Sequence, residues 1–325
     1  MTMKKILITG CVGFVGFSLA KRLLEKKNII FGIDNIDNYY SKKLKYLRLD
    51  VLKKKKNFHF YKVDLKKKKL LKKKIGKIKF DYIFHFAAQA GVRYSIINPK
   101  KYIDSNIKGT NNLLDIIKDI RPKKIFIASS SSVYGNVSRF PVKENFRLNP
   151  INLYAETKYI NEITANYYSK IFNLKIYVLR FFTLYGKWGR PDMFLFKLLK
   201  SIYKKEKFYL NNYGNHSRDF THIDDAVNIV IRLMNVKEKN KFNVFNISSN
   251  NPINLKKIIQ LFKDKYKDLD ITLTKKNKLD VKKTHGCNRK VLNLTKYRKK
   301  NFAKLSNKLE SIITWYTKNK IYKIT

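Results

Sequence analysis

A glycine-rich turn between an apolar strand and a helix constrains this chain more than any other feature. Lys4-Lys5-Ile6-Leu7-Ile8-Thr9 reads as a short strand, and Gly10-Cys11-Val12-Gly13-Phe14-Val15-Gly16 follows it. Residues 14–27 then carry Val15, Leu19, Leu23 and Leu24 at helical spacing. In such a turn the first glycine permits the tight bend. The second lets backbone N–H groups approach a pyrophosphate at the helix N-terminus, and the third allows close helix–strand packing. Asp34 ends the next strand, 18 residues after Gly16. A carboxylate there accepts hydrogen bonds from both adenosine ribose hydroxyls and repels a 2′-phosphate, which favours NAD over NADP. The competing reading is a plain strand–turn–helix unit with a solvent-facing Asp34.

The alternation continues. Residues 29–33, 58–63, 80–86, 124–128 and 176–181 are near-continuous apolar strands, and helical patterns at 100–119 and 154–172 lie among them. Such strands imply a parallel sheet covered on both faces. Right-handed crossovers make it an α/β, doubly wound fold. After about residue 186 the alternation loosens. Helices are expected at 192–205, 223–235, 254–266 and 304–319, with one strand at 242–247. The division expected is a nucleotide-binding domain over 1–186, rejoined by the 242–247 strand, and a smaller α+β, mainly substrate-binding region over 187–325.

The formal net charge is +49, which points at first to nucleic acid or an anionic membrane. Yet sixty of the 72 basic residues are Lys and only twelve are Arg, beside abundant Asn, Ile, Phe and Tyr. These residue types share A/T-rich codons, so solvated lysine faces record drift. Nucleic-acid readers rely on Arg forks, and no specific nucleic-acid partner is expected. The lysine runs 53–56, 66–69 and 72–74 follow this pattern; after Asp64, Leu65, Leu70, Leu71 and Ile75 can share one helical face with lysines on the other. Two cysteines, Cys11 and Cys287, make no disulfide framework. No signal peptide and no 18-residue apolar run is read, so a cytoplasmic protein without a membrane span is expected. The histidines show no metal spacing, and His85 reads as a packed strand residue.

Tyr154-Ala155-Glu156-Thr157-Lys158 places Tyr and Lys four apart, on one side of a helix. A nearby ammonium, with a nicotinium ring, stabilises the phenolate and is expected to lower its pKa toward a base usable near neutral pH. The pair alone is common on helix surfaces. The dinucleotide turn and the run Ser129-Ser130-Ser131-Ser132 after the fifth strand make it specific, since a serine there can hydrogen-bond the reacting alcohol.

With these residues in place, the chain resembles the extended short-chain dehydrogenase/reductases, and within them the nucleotide-sugar 4-epimerases. Three stretches are similar to UDP-glucuronate 4-epimerases in particular: residues 85–95 (HFAAQAGVRYS), 128–135 (ASSSSVYG) and 180–193 (RFFTLYGKWGRPDM). Arg218-Asp219-Phe220-Thr221 fits as well, and the likeness runs from about residue 3 to Trp315-Tyr316. It implies a Rossmann fold that uses NAD as cofactor on a UDP-sugar, most closely UDP-glucuronate. Tyr154 then takes the proton of the sugar 4-hydroxyl while the C4 hydride passes to NAD; the 4-keto sugar swings and takes the hydride back on its other face. Lys158 tunes Tyr154, and Ser130 bonds the 4-oxygen. Cofactor contacts are expected from Gly10, Gly13, Phe14, Val15, Gly16, Asp34, Asn35, Asp64, Ala87, Ala88 and Asn106. Substrate contacts are expected from Arg93, Ser95, Ser130, Ser131, Thr183, Arg190, Arg218 and Asp280. A homodimer through the 100–119 and 154–172 helices is a further expectation of the family.

The residues add their own argument. In a lysine-saturated chain, Arg93 and Arg190 point to a need for the planar guanidinium fork, which suits a carboxylate or a diphosphate. Ser131 and Ser132 stand where related 4,6-dehydratases carry Asp-Glu and where related decarboxylases carry Glu at the second place, which favours returning the hydride over elimination or decarboxylation. A UDP-glucose/galactose 4-epimerase, another nucleotide-sugar epimerase or dehydratase, and a lysine-rich polyanion binder without catalysis are the alternatives. The chain departs from the family pattern at Cys11, at Lys187 and around Leu279-Asp280-Val281, where Pro and Gly are missing.

Overall fold

The computed structural model describes residues 3–275 and 280–325, so Leu279 lies outside the described residues. Twelve strands are present among them. They are β1 (Lys5–Thr9), β2 (Ile29–Asp34), β3 (Phe58–Lys62), β4 (Tyr82–His85), β5 (Lys124–Ser130), β6 (Ile176–Phe181), β7 (Thr183–Tyr185), β8 (Phe208–Asn211), β9 (Ser217–His222), β10 (Phe242–Ile247), β11 (Pro252–Asn254) and β12 (Ile271–Thr274). The α-helices are α1 (Phe14–Glu25), α2 (Lys42–Lys53), α3 (Lys68–Ile75), α4 (Tyr94–Ile97), α5 (Pro99–Tyr102), α6 (Gly109–Ile120), α7 (Leu153–Ile171), α8 (Phe194–Lys204), α9 (Ile223–Leu233), α10 (Leu255–Lys265), α11 (Arg289–Thr295) and α12 (Leu305–Lys318).

Seven strands form one sheet in the order β10-β6-β5-β4-β1-β2-β3, parallel throughout. Successive residues of β1 face opposite layers. Ile6 and Ile8 join the core under α1 and α9, while Leu7 joins the core under α3 and α6. Burial on both faces is why these strands read as continuous apolar runs. Every residue of β6 is buried. The strand order reverses between β1 and β4, and a doubly wound sheet opens a crevice at the carboxyl ends of its strands at such a point.

The expected helix over 100–119 is broken into α5, a π-helical segment at Ile103–Lys108, and α6. The face expected from Leu65, Leu70, Leu71 and Ile75 forms only in part. Leu71 and Ile75 are buried on α3 and Leu65 is buried ahead of it, but Leu70 is exposed. Leu70 lies about 100° around the helix from Leu71 and falls outside the narrow stripe that this eight-residue helix buries through Leu71 and Ile75.

Residues beyond β6 do two things. α9 and α11 pack on the large sheet, and β10 extends its edge beside β6. α8, α10, α12 and β8 build a separate core with Phe196, Ile258, Phe262, Ile312 and Tyr316. A three-stranded sheet, β11-β9-β7, bridges the two bodies of packing, with Leu184 in the first and Tyr185 and Phe220 in the second, while the parallel pair β12-β8 lies within the second. Among the described residues no helix is long and apolar enough to cross a membrane.

Candidate active site

A cavity of about 850 Å³ opens at the carboxyl ends of the central strands and runs to the β8–β9 region. At one end lies the glycine-rich turn. Gly10 has φ +71°, and a Cβ there would sit 2.6 Å from the Ala87 backbone nitrogen. A Cβ on Gly16 would sit 2.1 Å from the Gly10 carbonyl oxygen. The bare backbone therefore forms a cradle at the start of α1, lined also by Gly13, Phe14 and Val15. Helix N-termini with free N–H groups attract phosphate, so this cradle fits a dinucleotide's pyrophosphate.

Asp34 is half-buried beside it. Its carboxylate accepts the Val12 N–H at 3.2 Å and the Ile36 N–H at 2.8 Å. Burial pushes its pKa up, opposed by Lys45, by these hydrogen bonds and by Arg48. Asn35 and Asp64 line the same wall and meet each other, Asn35 Nδ2 donating to Asp64 Oδ2 at 3.2 Å. Ala87 and Ala88 line the opposite wall. Asn106 does not reach the cavity, contrary to expectation. It is fully buried on the π-helical segment, where its amide accepts the Gln89 N–H at 2.7 Å and donates to Thr157 Oγ1 at 2.9 Å. It braces the 87–91 loop against α7.

Tyr154 and Lys158 both line the middle of the cavity from α7, whose start is capped by Asn152 accepting the Ala155 N–H. The Lys158 ammonium donates to the Ala128 carbonyl at 2.8 Å. Burial lowers its pKa to about 8, with Glu162 opposing. Ser130, at the end of β5, lies beside Tyr154, and its hydroxyl donates to Ser132 Oγ at 3.1 Å. It also accepts the Ser132 N–H at 3.2 Å. The expected depression of Tyr154 is not a property of the chain by itself. Burial raises its pKa, while Arg190 and the neighbouring Ser130 hydroxyl oppose. The expectation counted a nicotinium charge that a cofactor must bring, and the Lys158 ammonium is directed to Ala128.

His85 is a packed strand residue as expected. Its ring is held between Thr9 and Thr110 at 2.8 and 2.9 Å, and burial lowers its pKa to about 3. Beneath the catalytic strand, Glu162 takes both ends of the Arg180 fork at 3.0 and 2.7 Å and accepts the Ser129 hydroxyl. That buried pair ties β5, β6 and α7 together.

At the far end Arg190 and Thr183 line the cavity near Tyr154. The Arg190 fork is already engaged with Asp192, Nε to Oδ1 at 3.0 Å and Nη2 to Oδ2 at 2.5 Å. Tyr39 donates to the same Asp192 at 2.9 Å. Two expected substrate residues meet each other, Arg93 donating to Asp280 at 2.7 Å. Arg218 lines the wall with its guanidinium on the Ser217 and Lys282 carbonyls; burial lowers its pKa to about 10, with Asp280 opposing. Ser131 lines the cavity. Ser95 does not. It is buried and donates to the Val92 carbonyl at 2.6 Å, closing the turn that carries Arg93.

Asp192, Tyr39, Tyr40 and Lys45 also line the cavity and were not singled out from the sequence. Asp192 lies inside the quoted 180–193 stretch. Tyr39 and Tyr40 follow the Asp34 strand directly, a position where chain direction alone places residues at the crevice.

Residues 7–324 match the family described as GDP-mannose 4,6 dehydratase. Protein CapI of Staphylococcus aureus is 42% identical over 279 residues, 80% of this chain and 83% of that one. The UDP-glucuronate 4-epimerase of Thermodesulfobacterium geofontis is 38% identical over 257 residues, 78% of each chain. The UDP-glucuronic acid 4-epimerase of Bacillus cereus, solved with UDP-glucuronic acid and NAD, superposes with a TM-score of 0.89 at 30% identity, covering 97% of this chain and 99% of that one. The chain belongs to the GDP-mannose 4,6 dehydratase family, among the extended short-chain dehydrogenase/reductases.

Proposed function

We propose that this protein is an NAD-dependent UDP-sugar 4-epimerase whose substrate is UDP-glucuronate and whose product is UDP-galacturonate. The observation that carries this reading is the convergence of Tyr154, Ser130, Lys158 and Arg190 on one cavity whose other end is the glycine cradle. Residues 1–186 with β10 hold the cofactor and 187–325 mainly the substrate. Gly10, Gly13 and Gly16 leave room for the pyrophosphate, and Asp34 receives the adenosine ribose. NAD held by the glycine cradle and Asp34 would supply the hydride acceptor and donor. Tyr154 removes the 4-hydroxyl proton and returns it. Ser130 holds the 4-oxygen, and the Lys158 charge favours the phenolate. Arg190 exchanges its Asp192 partner for the sugar carboxylate, with Thr183 beside it. Ser131 and Ser132 carry no acid for elimination or decarboxylation.

We further propose a homodimer in the cytoplasm. Ile103, Ile163, Tyr167 and Ile171 are all exposed, and the last three recur every four residues along α7. Cys11 and Cys287 are unpaired. Light scattering that finds only a monomer at micromolar concentration removes the dimer.

The test is to incubate the purified, NAD-loaded protein with UDP-glucuronate, UDP-glucose and UDP-galactose side by side, without added reductant. UDP-galacturonate forming from the first alone is expected. Tyr154→Phe should cost about 10³-fold in turnover while NAD stays bound. Conversion of the neutral sugars instead, or an active Tyr154→Phe, refutes the reading.

A further inference from the structure

Arg48 is a buried cation that the catalytic account leaves unused. It sits on α2 with no exposed surface. One terminal nitrogen, Nη1, donates to the Val12 carbonyl at 2.9 Å and to the Tyr40 hydroxyl at 2.7 Å. The other, Nη2, donates to two successive carbonyls, Trp188 at 2.6 Å and Gly189 at 3.1 Å. Nε makes no hydrogen bond. The partners lie 36 residues before it and 140 residues after it.

Both anchor points matter. Val12 belongs to the glycine-rich turn, and its N–H is the donor to Asp34. Trp188 and Gly189 immediately precede Arg190. Trp188 has φ +64°, a left-handed conformation that is unfavourable for a residue with a Cβ and persists only where surroundings enforce it. Its ring is packed between Phe17 of α1 at 5.1 Å and Trp315 of α12 at 4.9 Å, and its carbonyl is held by Arg48. The flat fork spans two separate chain segments, which a lysine's single ammonium cannot do. That an arginine stands here, among twelve in a chain of sixty lysines, fits this demand.

We propose that Arg48 is a positioning residue that fixes Arg190 relative to the glycine-rich turn and thereby sets the preference for an acidic sugar. This rests on the reading of Arg190 as the partner of the sugar carboxylate. A displaced Arg190 still carries its charge but meets the carboxylate off its bidentate geometry. Misplacement on the order of 1 Å at a recognition group can cost up to about a hundredfold.

The experiment measures dissociation constants of UDP-glucuronate and UDP-glucose on NAD-loaded protein, for wild type, Arg48→Lys, Arg190→Lys and the double variant. Thermal melting accompanies each. Wild type should prefer UDP-glucuronate. Arg48→Lys should lower that preference by about tenfold and hardly change it further in the Arg190→Lys background. Tyr40→Phe removes one of the four partners without disturbing apolar packing and should shift the preference the same way by less. It decides the matter if Arg48→Lys does not fold. A purely structural Arg48 lowers the melting temperature and weakens both ligands equally, which overturns the proposal. A wild type with no preference refutes the substrate reading and this inference with it. A wild-type preference left intact by Arg48→Lys or, where that variant does not fold, by Tyr40→Phe refutes this inference alone.

Discussion

The glycine-turn end of the cavity and the arginine end solve the same problem, holding anions, with different materials. At the first, the backbone does the work: Gly10, Gly13 and Gly16 bring peptide groups close, and the charged side chains beside them, Asp34 and Asp64, are carboxylates that do not hold an anion. At the second, guanidinium groups arrive from distant elements and are already matched inside the protein, Arg190 with Asp192 and Arg93 with Asp280. A backbone cradle has no rotamers to change and recognises one ligand shape. Paired side chains can exchange partners, so selectivity among sugars is expected at the arginine end.

The largest effect is expected at the backbone end. In Gly16→Ala the new Cβ meets the Gly10 carbonyl oxygen at 2.1 Å, so the main chain itself must move. A loss of about 3 kcal/mol or more in stability is expected, with release of NAD, read by denaturant titration and by cofactor absorbance after gel filtration. A variant that melts like wild type and retains NAD breaks the comparison. Arg190→Lys should be milder and selective. It keeps the charge and loses the fork, so UDP-glucuronate turnover should fall by about ten- to a hundredfold with NAD retained. Equal losses for cofactor and sugar would show that the two ends are not separable.

A third effect, comparable in size to the second, is a pH dependence at the boundary between the ends. Burial lowers Lys158 to about 8, below its unfolded value near 10.4. Between those values the unfolded chain holds more protons, so stability contributed by this group rises with pH. Below about 8 it is charged in both states and its contribution is constant. Wild type should therefore gain about 2 kcal/mol relative to Lys158→Met between pH 8 and 10, measured by parallel denaturant titrations. A constant difference across that range contradicts the shift.

The same division explains what could be read from sequence. The strands 176–181 and 242–247 stand at their expected places, and in the first burial on both faces leaves a near-continuous apolar signal. The glycine turn and Asp34 were legible because their geometry is local. Helix α2 was not, since Lys42, Lys43, Lys45 and Lys53 obscure the spacing of its buried Leu44, Leu49 and Leu52. β7, β11 and β12 are three or four residues long, too short for any period to register. Asn106 and Ser95 match family positions but act behind the wall, braced to Gln89 and Val92. Type and spacing do not tell a lining side chain from one that holds the lining. Arg48 carried one clue, its rarity, and its partners are brought to it only by the fold.

The central claim is that the hydride leaves C4 and returns to C4. The most direct measurement uses UDP-glucuronate deuterated at C4, incubated with the NAD-loaded protein in ordinary water, with the product resolved by NMR. The account predicts UDP-galacturonate with deuterium retained at an inverted C4. Deuterium lost to solvent, found at another carbon, or carried by a product lacking the carboxylate would contradict it.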